Sequence, residues 1–265
     1  MEFNRRHPPV GRDKRWPSKA PLPEDSDVPN IYPLLVATYG IMLKILHLET
    51  TRREWRNRGP EWAIKELYTW MRDDLAVVMS YEFGVAIDMF LAKNERRNSA
   101  RKLFKYGGPE IAERLADMAW NAAWDCWFTR LPEGLTYGLL AGVSRPQPTA
   151  LVTANKDPRY LRLVSELRSI IDTGNIQIPM NLSIWDETVN YSDELHTLLT
   201  TQPDIEILKR FQRDPEAMLA DAIRTVDRLE DSMGVNTRTL ACYLAAGCDS
   251  EFMPELHQSD SNLQY

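Results

Sequence analysis

The first apolar run in the chain is "YPLLVATYG", Tyr32 to Gly40, in which Leu34, Leu35 and Val36 predict a buried strand. After it, strand and helix patterns alternate as far as about residue 171, the signature of a parallel sheet covered by helices. "IMLKILHLETTRREW" has Ile41, Leu43, Ile45 and Leu48 mostly on one helical face. "GPEWAIKELYTWMRDD" is a second helix, opened by Pro60 and carrying Trp62, Ile64, Leu67 and Met71 at helical spacing. "LAVVMS" predicts another strand, and "YEFGVAIDMFLAKNERRNSARKLF" one long helix bounded by Gly107 and Gly108. "PEIAERLADMAWNAAWDCWFTRL" continues as helix to a stop at Pro132. "PTALVTANKD" predicts a third strand, followed by the helix "PRYLRLVSELRSIID".

The texture changes beyond Gly174. "NIQIP" reads as an edge strand, and "SDELHTLLT" and "DPEAMLADAIRTVDRLEDSMG" as helices, the last stopped by Gly234. The expected fold class is therefore α/β, a central parallel sheet flanked by helices, with a mainly helical C-terminal extension. The expected organisation is an arm over 1–30, the α/β domain over 31–172, the extension over 173–250 and a tail over 251–265. The arm is proline-rich and its first 20 residues hold six Lys/Arg against two acids. It cannot bury enough apolar surface to fold alone. It lies over the domain as a tail or meets a phosphate backbone.

Composition narrows the class. Of the 265 residues, 43% are hydrophobic and 26% charged, an ordinary balance for a folded domain. The net charge of −6 excludes a whole-chain basic footprint. Cys126, Cys242 and Cys248 are too scattered for a disulfide framework or a four-ligand zinc site, and read as small packing residues in a reducing compartment. No apolar run reaches membrane-spanning length, so a cytoplasmic protein without membrane contact is expected.

The chemistry has to come from carboxylates. The sequence has no Gly-rich phosphate loop, G-x-S-x-G elbow or H-E-x-x-H, and its four histidines sit in unrelated contexts. Asp125 stands out because "AAWDCWF" surrounds it with apolar residues, which calls for a metal, for a partner such as Arg130, or for exposure at one edge. Glu82 falls in the first turn of a helix, where it serves a site or simply the helix dipole. Asp88 reads as a surface acid. Thr153 and Asn155 lie near the third strand's tip, and Asp157 before Pro158 is a good helix cap. Trp120, Trp124 and Trp127 are core at helical spacing rather than a stacking platform. At the carboxyl edge of a parallel sheet, Glu82, Asp125 and Thr153/Asn155 can converge on Mg²⁺ or Mn²⁺ and hydrolyse a phosphodiester.

In this order and spacing, "ALVTANKD", "NAAWDCWFTRL" and Glu82 resemble the PIN-domain nucleases, the fold of many toxin ribonucleases, over residues 31–171. The resemblance implies a metal-dependent endoribonuclease, a toxin or defence effector acting on RNA, with a neutralising protein partner and homo-oligomer formation as companions. Its site would comprise Glu82, Asp125, Asn155, Asp157 and Thr153, with Glu82, Asp125, Asn155 and Asp157 as metal ligands. It also implies an aspartate where this chain has Ala37, so activity should be missing. Either the chain is a naturally inactive PIN-like scaffold, or Ala37 replaces an aspartate by design; retention of the other acids favours the second. A DNA-directed nuclease on a related fold is the third reading.

Overall fold

The computed structural model describes residues 32–108, 110–136, 167–172, 177–181, 192–195, 197–198, 209 and 213–235, all within the compact unit Val28–Leu240. Among these residues the architecture is helical, with no parallel strand pair, and the expected central parallel sheet is corrected. The two strands that are described, β1 (Leu167–Asp172) and β2 (Gln177–Asn181), pair antiparallel in a ribbon, Ile171 opposite Ile178. β2 agrees with the edge strand read from "NIQIP". β1 occupies the end of a segment expected to be helix.

The largest departure is at the start. "YPLLVATYG" is not a strand: it is the first half of helix α1 (Tyr32–Thr50), which continues unbroken through Gly40. Leu35, Val36, Ala37, Tyr39, Ile41, Met42, Leu43, Ile45 and Leu46 are all fully buried. Such a helix is apolar on every side and belongs at the centre of a bundle. Gly40 lets a neighbour approach: an added Cβ would lie 2.5 Å from Val226 Cγ2. α1 stops at Thr50, where the Thr50 and Thr51 hydroxyls donate to the His47 carbonyl and the Trp55 indole N–H donates to that of Leu48. The last carbonyls of a helix need such partners.

A short helix α2 (Arg52–Trp55) and a 3₁₀ turn at Arg56–Arg58 lead to α3 (Pro60–Asp73). The expected strand "LAVVMS" is a connector with buried Leu75, Val77, Val78 and Met79 and no strand partner. The expected long helix after it is two helices, α4 (Ser80–Phe90) and α5 (Asn94–Leu103), broken at Leu91–Lys93. α6 runs Ala112–Thr136, passing through Pro132 rather than ending there. α7 (Pro215–Met233) forms as the sequence indicates, with Asp214 accepting from the Ala217 N–H at 2.9 Å and Gly234 closing it in the left-handed conformation. α1 packs chiefly on α6 and α7. Tyr39 of α1 ties all three together, its hydroxyl donating to buried Glu230 of α7 and its ring meeting Trp120 of α6 edge-on at 5.4 Å.

Candidate functional site

The polar residues expected to form a site do not share a sheet edge. Ala37 and Thr38 lie inside α1, Glu82 in the first turn of α4, and Asp125 and Arg130 on α6. Thr153, Asn155 and Asp157 lie outside the described residues. The strand tip on which the reading of Ala37 depended is a fully buried stretch of helix, where a small apolar side chain fits closely packed neighbours.

Three of the remaining groups meet. Arg130 donates from Nη1 to Glu82 Oε1 at 2.6 Å and to Thr38 Oγ1 at 3.2 Å, while its Nη2 donates to Glu82 Oε2. The Thr38 hydroxyl in turn donates to Glu82 Oε1 at 2.8 Å. Glu82 and Thr38 are 0% exposed, so both carboxylate oxygens are satisfied away from water. The guanidinium also lies 5.1 Å from the Tyr81 ring centre. Burial opposes the charge on Arg130, but the charge of Glu82 and its hydrogen bonds outweigh this and hold the guanidinium above its ordinary pKa. One turn before Arg130, Cys126 is a buried thiol outside any disulfide, its pKa pushed well up by burial first and then by the charge of Glu82. The partner foreseen for Asp125, Arg130, is thus engaged by Glu82.

Asp125 is half-buried, and burial raises its carboxyl pKa, opposed by the charge of Lys105. Asp88 is not a surface acid: it is buried, with Arg96 Nη2 at 2.6 Å. Trp120 and Trp127 are core as expected, whereas Trp124 is half-buried, its ring 5.6 Å from that of exposed Phe128 and tilted to it by 31°. Among the described residues, no three His, Cys, Asp or Glu side chains are grouped to hold a metal ion.

A second cluster escaped the sequence reading. Glu49, near the end of α1, is 6% exposed and faces three arginines. Its Oε1 accepts from Arg101 Nη2 at 2.7 Å and Arg97 Nη2 at 3.2 Å, and its Oε2 from Arg52 Nη1 at 3.2 Å. Arg97 and Arg101 sit four residues apart on α5 and so share a helical face. That spacing is visible in "ERRNSAR", but nothing in the sequence links it to an acid 48 residues earlier. No helix among the described residues is long and apolar enough to cross a membrane. The chain matches no protein-family model, and no curated protein or solved structure is significantly similar to it.

Proposed function

We propose that this chain is a non-catalytic helical binding module, a cytoplasmic scaffold whose core is built around α1 and whose outer faces meet partners. The observation that carries this reading is the closed Arg130–Glu82–Thr38 network. A carboxylate that binds a metal or moves a proton must present an oxygen to its target. Glu82 presents none, since a guanidinium and a hydroxyl take both oxygens beneath the surface. Its role is to fix how α1, α4 and α6 dock, the specifying use of a buried ion pair. The expected metal-dependent ribonuclease is the competing reading, and the geometry at Glu82 lends it no support.

Incubating the purified chain with labelled RNA and Mg²⁺ or Mn²⁺ tests this, with Glu82→Gln and Ala37→Asp in parallel. The binding-module reading expects intact RNA throughout and a lower melting temperature for Ala37→Asp, which puts a carboxylate at a fully buried position of α1. Cleavage by the wild-type chain that a folded Glu82→Gln variant lacks overturns the reading. So does cleavage gained by Ala37→Asp.

A further inference from the structure

The surroundings of Glu49 hold more positive charge than the carboxylate can use. Three guanidiniums offer about fifteen N–H donors to about four acceptor positions. The Nε atoms of Arg97 and Arg101 are buried without a hydrogen-bond partner, so the donors open to a ligand are those at the solvent-facing ends of the guanidiniums. The side chains of Arg52, Arg97 and Arg101 are 32%, 27% and 39% exposed, so each keeps part of its surface at the solvent. Exposed Arg53, Arg56 and Arg58 continue the charge from α2 into the 3₁₀ turn, and exposed Lys93, Lys102 and Lys105 flank or end α5. Residues 52–58 and 93–105 together hold ten Lys/Arg against two Glu. Buried Glu49 and Asp88 offset two more and Asp125, which feels the charge of Lys105, a third, leaving five positive charges in excess on a chain whose net charge is −6.

One well-placed arginine satisfies a buried carboxylate, so stabilising Glu49 does not account for three. The C-terminus of α1 adds a modest attraction for cations but not for a patch that extends two helices away. Aromatic rings are set into the same surface. The Arg58 guanidinium lies 4.9 Å from the ring centre of half-buried Trp62, and Arg101 lies 6.0 Å from that of half-buried Tyr106. Planar guanidiniums match phosphate oxygens in pairs, and accessible rings between positive charges receive unpaired bases.

The geometry points to a phosphate-binding surface centred on Arg52, Arg97 and Arg101, which with Arg53, Arg56, Trp62 and Tyr106 holds single-stranded nucleic acid. Glu49 orients the three arginines, and phosphodiester oxygens take the donors that remain at the solvent. This names a ligand for the binding-module reading and rests on it.

The test is fluorescence anisotropy of a labelled 15-nucleotide single-stranded RNA between 50 and 300 mM salt, with a gel of the same samples to show whether the RNA stays whole. The exposed pair Arg53→Gln/Arg56→Gln leaves Glu49's partners in place and keeps the fold. Each lost phosphate contact lowers the salt slope by about 0.7, so the double variant should bind about 25-fold more weakly at 0.1 M salt. Arg101→Lys keeps the charge but loses the fork, and should weaken binding while leaving the salt slope nearly unchanged. Absence of binding at 50 mM salt overturns the proposal, as does equal affinity of wild type and Arg53→Gln/Arg56→Gln. Equal competition by a poly-glutamate peptide assigns the surface to an acidic protein instead, and tighter binding of duplex removes the single-strand assignment. Cut RNA on the gel counts against the binding-module reading alone, because the anisotropy variants still report on the surface.

Discussion

Arg130 grips Glu82 as a fork, one terminal guanidinium nitrogen on each carboxylate oxygen, with Nη1 2.6 Å from Oε1. Removing one member of such a pair leaves the other's charge buried without compensation. Arg130→Met should therefore cost about 3 kcal/mol or more, read from urea denaturation. Glu82→Gln should cost less, because its amide still hydrogen-bonds. Glu82→Leu/Arg130→Met should recover much of the loss, and equal losses for the single and double variants would contradict the pairing.

Gly40 of α1 faces Val226 of α7, and a Cβ added at Gly40 would fall 2.5 Å from Val226 Cγ2. Helix propensity alone favours alanine over glycine by about 1 kcal/mol. Overpacking should reverse that, so Gly40→Ala is expected to destabilise by about 1–3 kcal/mol. Gly40→Ala/Val226→Ala should be more stable than the sum of the single effects implies. Thermal melts of the four proteins measure this coupling.

These two contacts also show what the sequence could convey. α3 and α7 were readable because each has one apolar stripe and marked ends, Pro60 in one case and Asp214 with Gly234 in the other. α1 was not. A helix buried on all sides loses its 3.6-residue period, and "LLVA" then looks like a buried strand. Gly40 closed the expected strand, although its role is to admit Val226 from a helix 186 positions away. The same misreading placed Ala37 at a strand tip, where the resemblance implied a missing aspartate. Glu82 reads as serving either a site or the helix dipole, and Arg130 as a candidate partner for Asp125; only the three-dimensional placement of α4 and α6 decides which acid the guanidinium meets. The Glu49 cluster was invisible because its three arginines come from two separate segments.

α7 depends on its ends. Asp214 accepts from the Ala217 N–H at 2.9 Å, so Asp214→Ala should cost about 1 kcal/mol. Gly234 has φ of +78°, a conformation that costs an L-residue about 1–2 kcal/mol. Gly234→Ala should therefore destabilise by a similar amount although a Cβ there has no close neighbour. Urea denaturation of both variants checks this, and unchanged midpoints would contradict the capping roles.

His47 sets a mild dependence on pH. Burial, and then the charge of Lys44, lower its pKa below 6.5, partly opposed by Glu54. The unfolded chain then binds the proton more readily, so stability is full above pH 6.5 and declines as the pH falls towards the folded-state pKa. Asp125 acts the other way: its raised pKa makes the folded form bind a proton more readily, which favours folding as the pH falls towards the carboxylate range. Comparing wild type with His47→Gln between pH 8 and 5 isolates the histidine. The variant should show the flatter profile, and parallel profiles would rule out this contribution.

Glu49→Gln separates the two jobs of the arginine cluster. Without the carboxylate, Arg52, Arg97 and Arg101 face one another with only a neutral amide between them. The loss should be about 1–3 kcal/mol, moderated by the third or so of each guanidinium side chain that stays at the solvent. A site built for phosphate should then regain stability from phosphate itself, in place of the missing carboxylate. At ten times its dissociation constant the ion would return about 1.4 kcal/mol. Melting curves in phosphate and in chloride at equal ionic strength and pH measure this. The phosphate gain should be larger for Glu49→Gln than for the wild-type chain, whose Glu49 already takes several of the donors. A variant that melts alike in both salts would mean that the three arginines serve Glu49 alone.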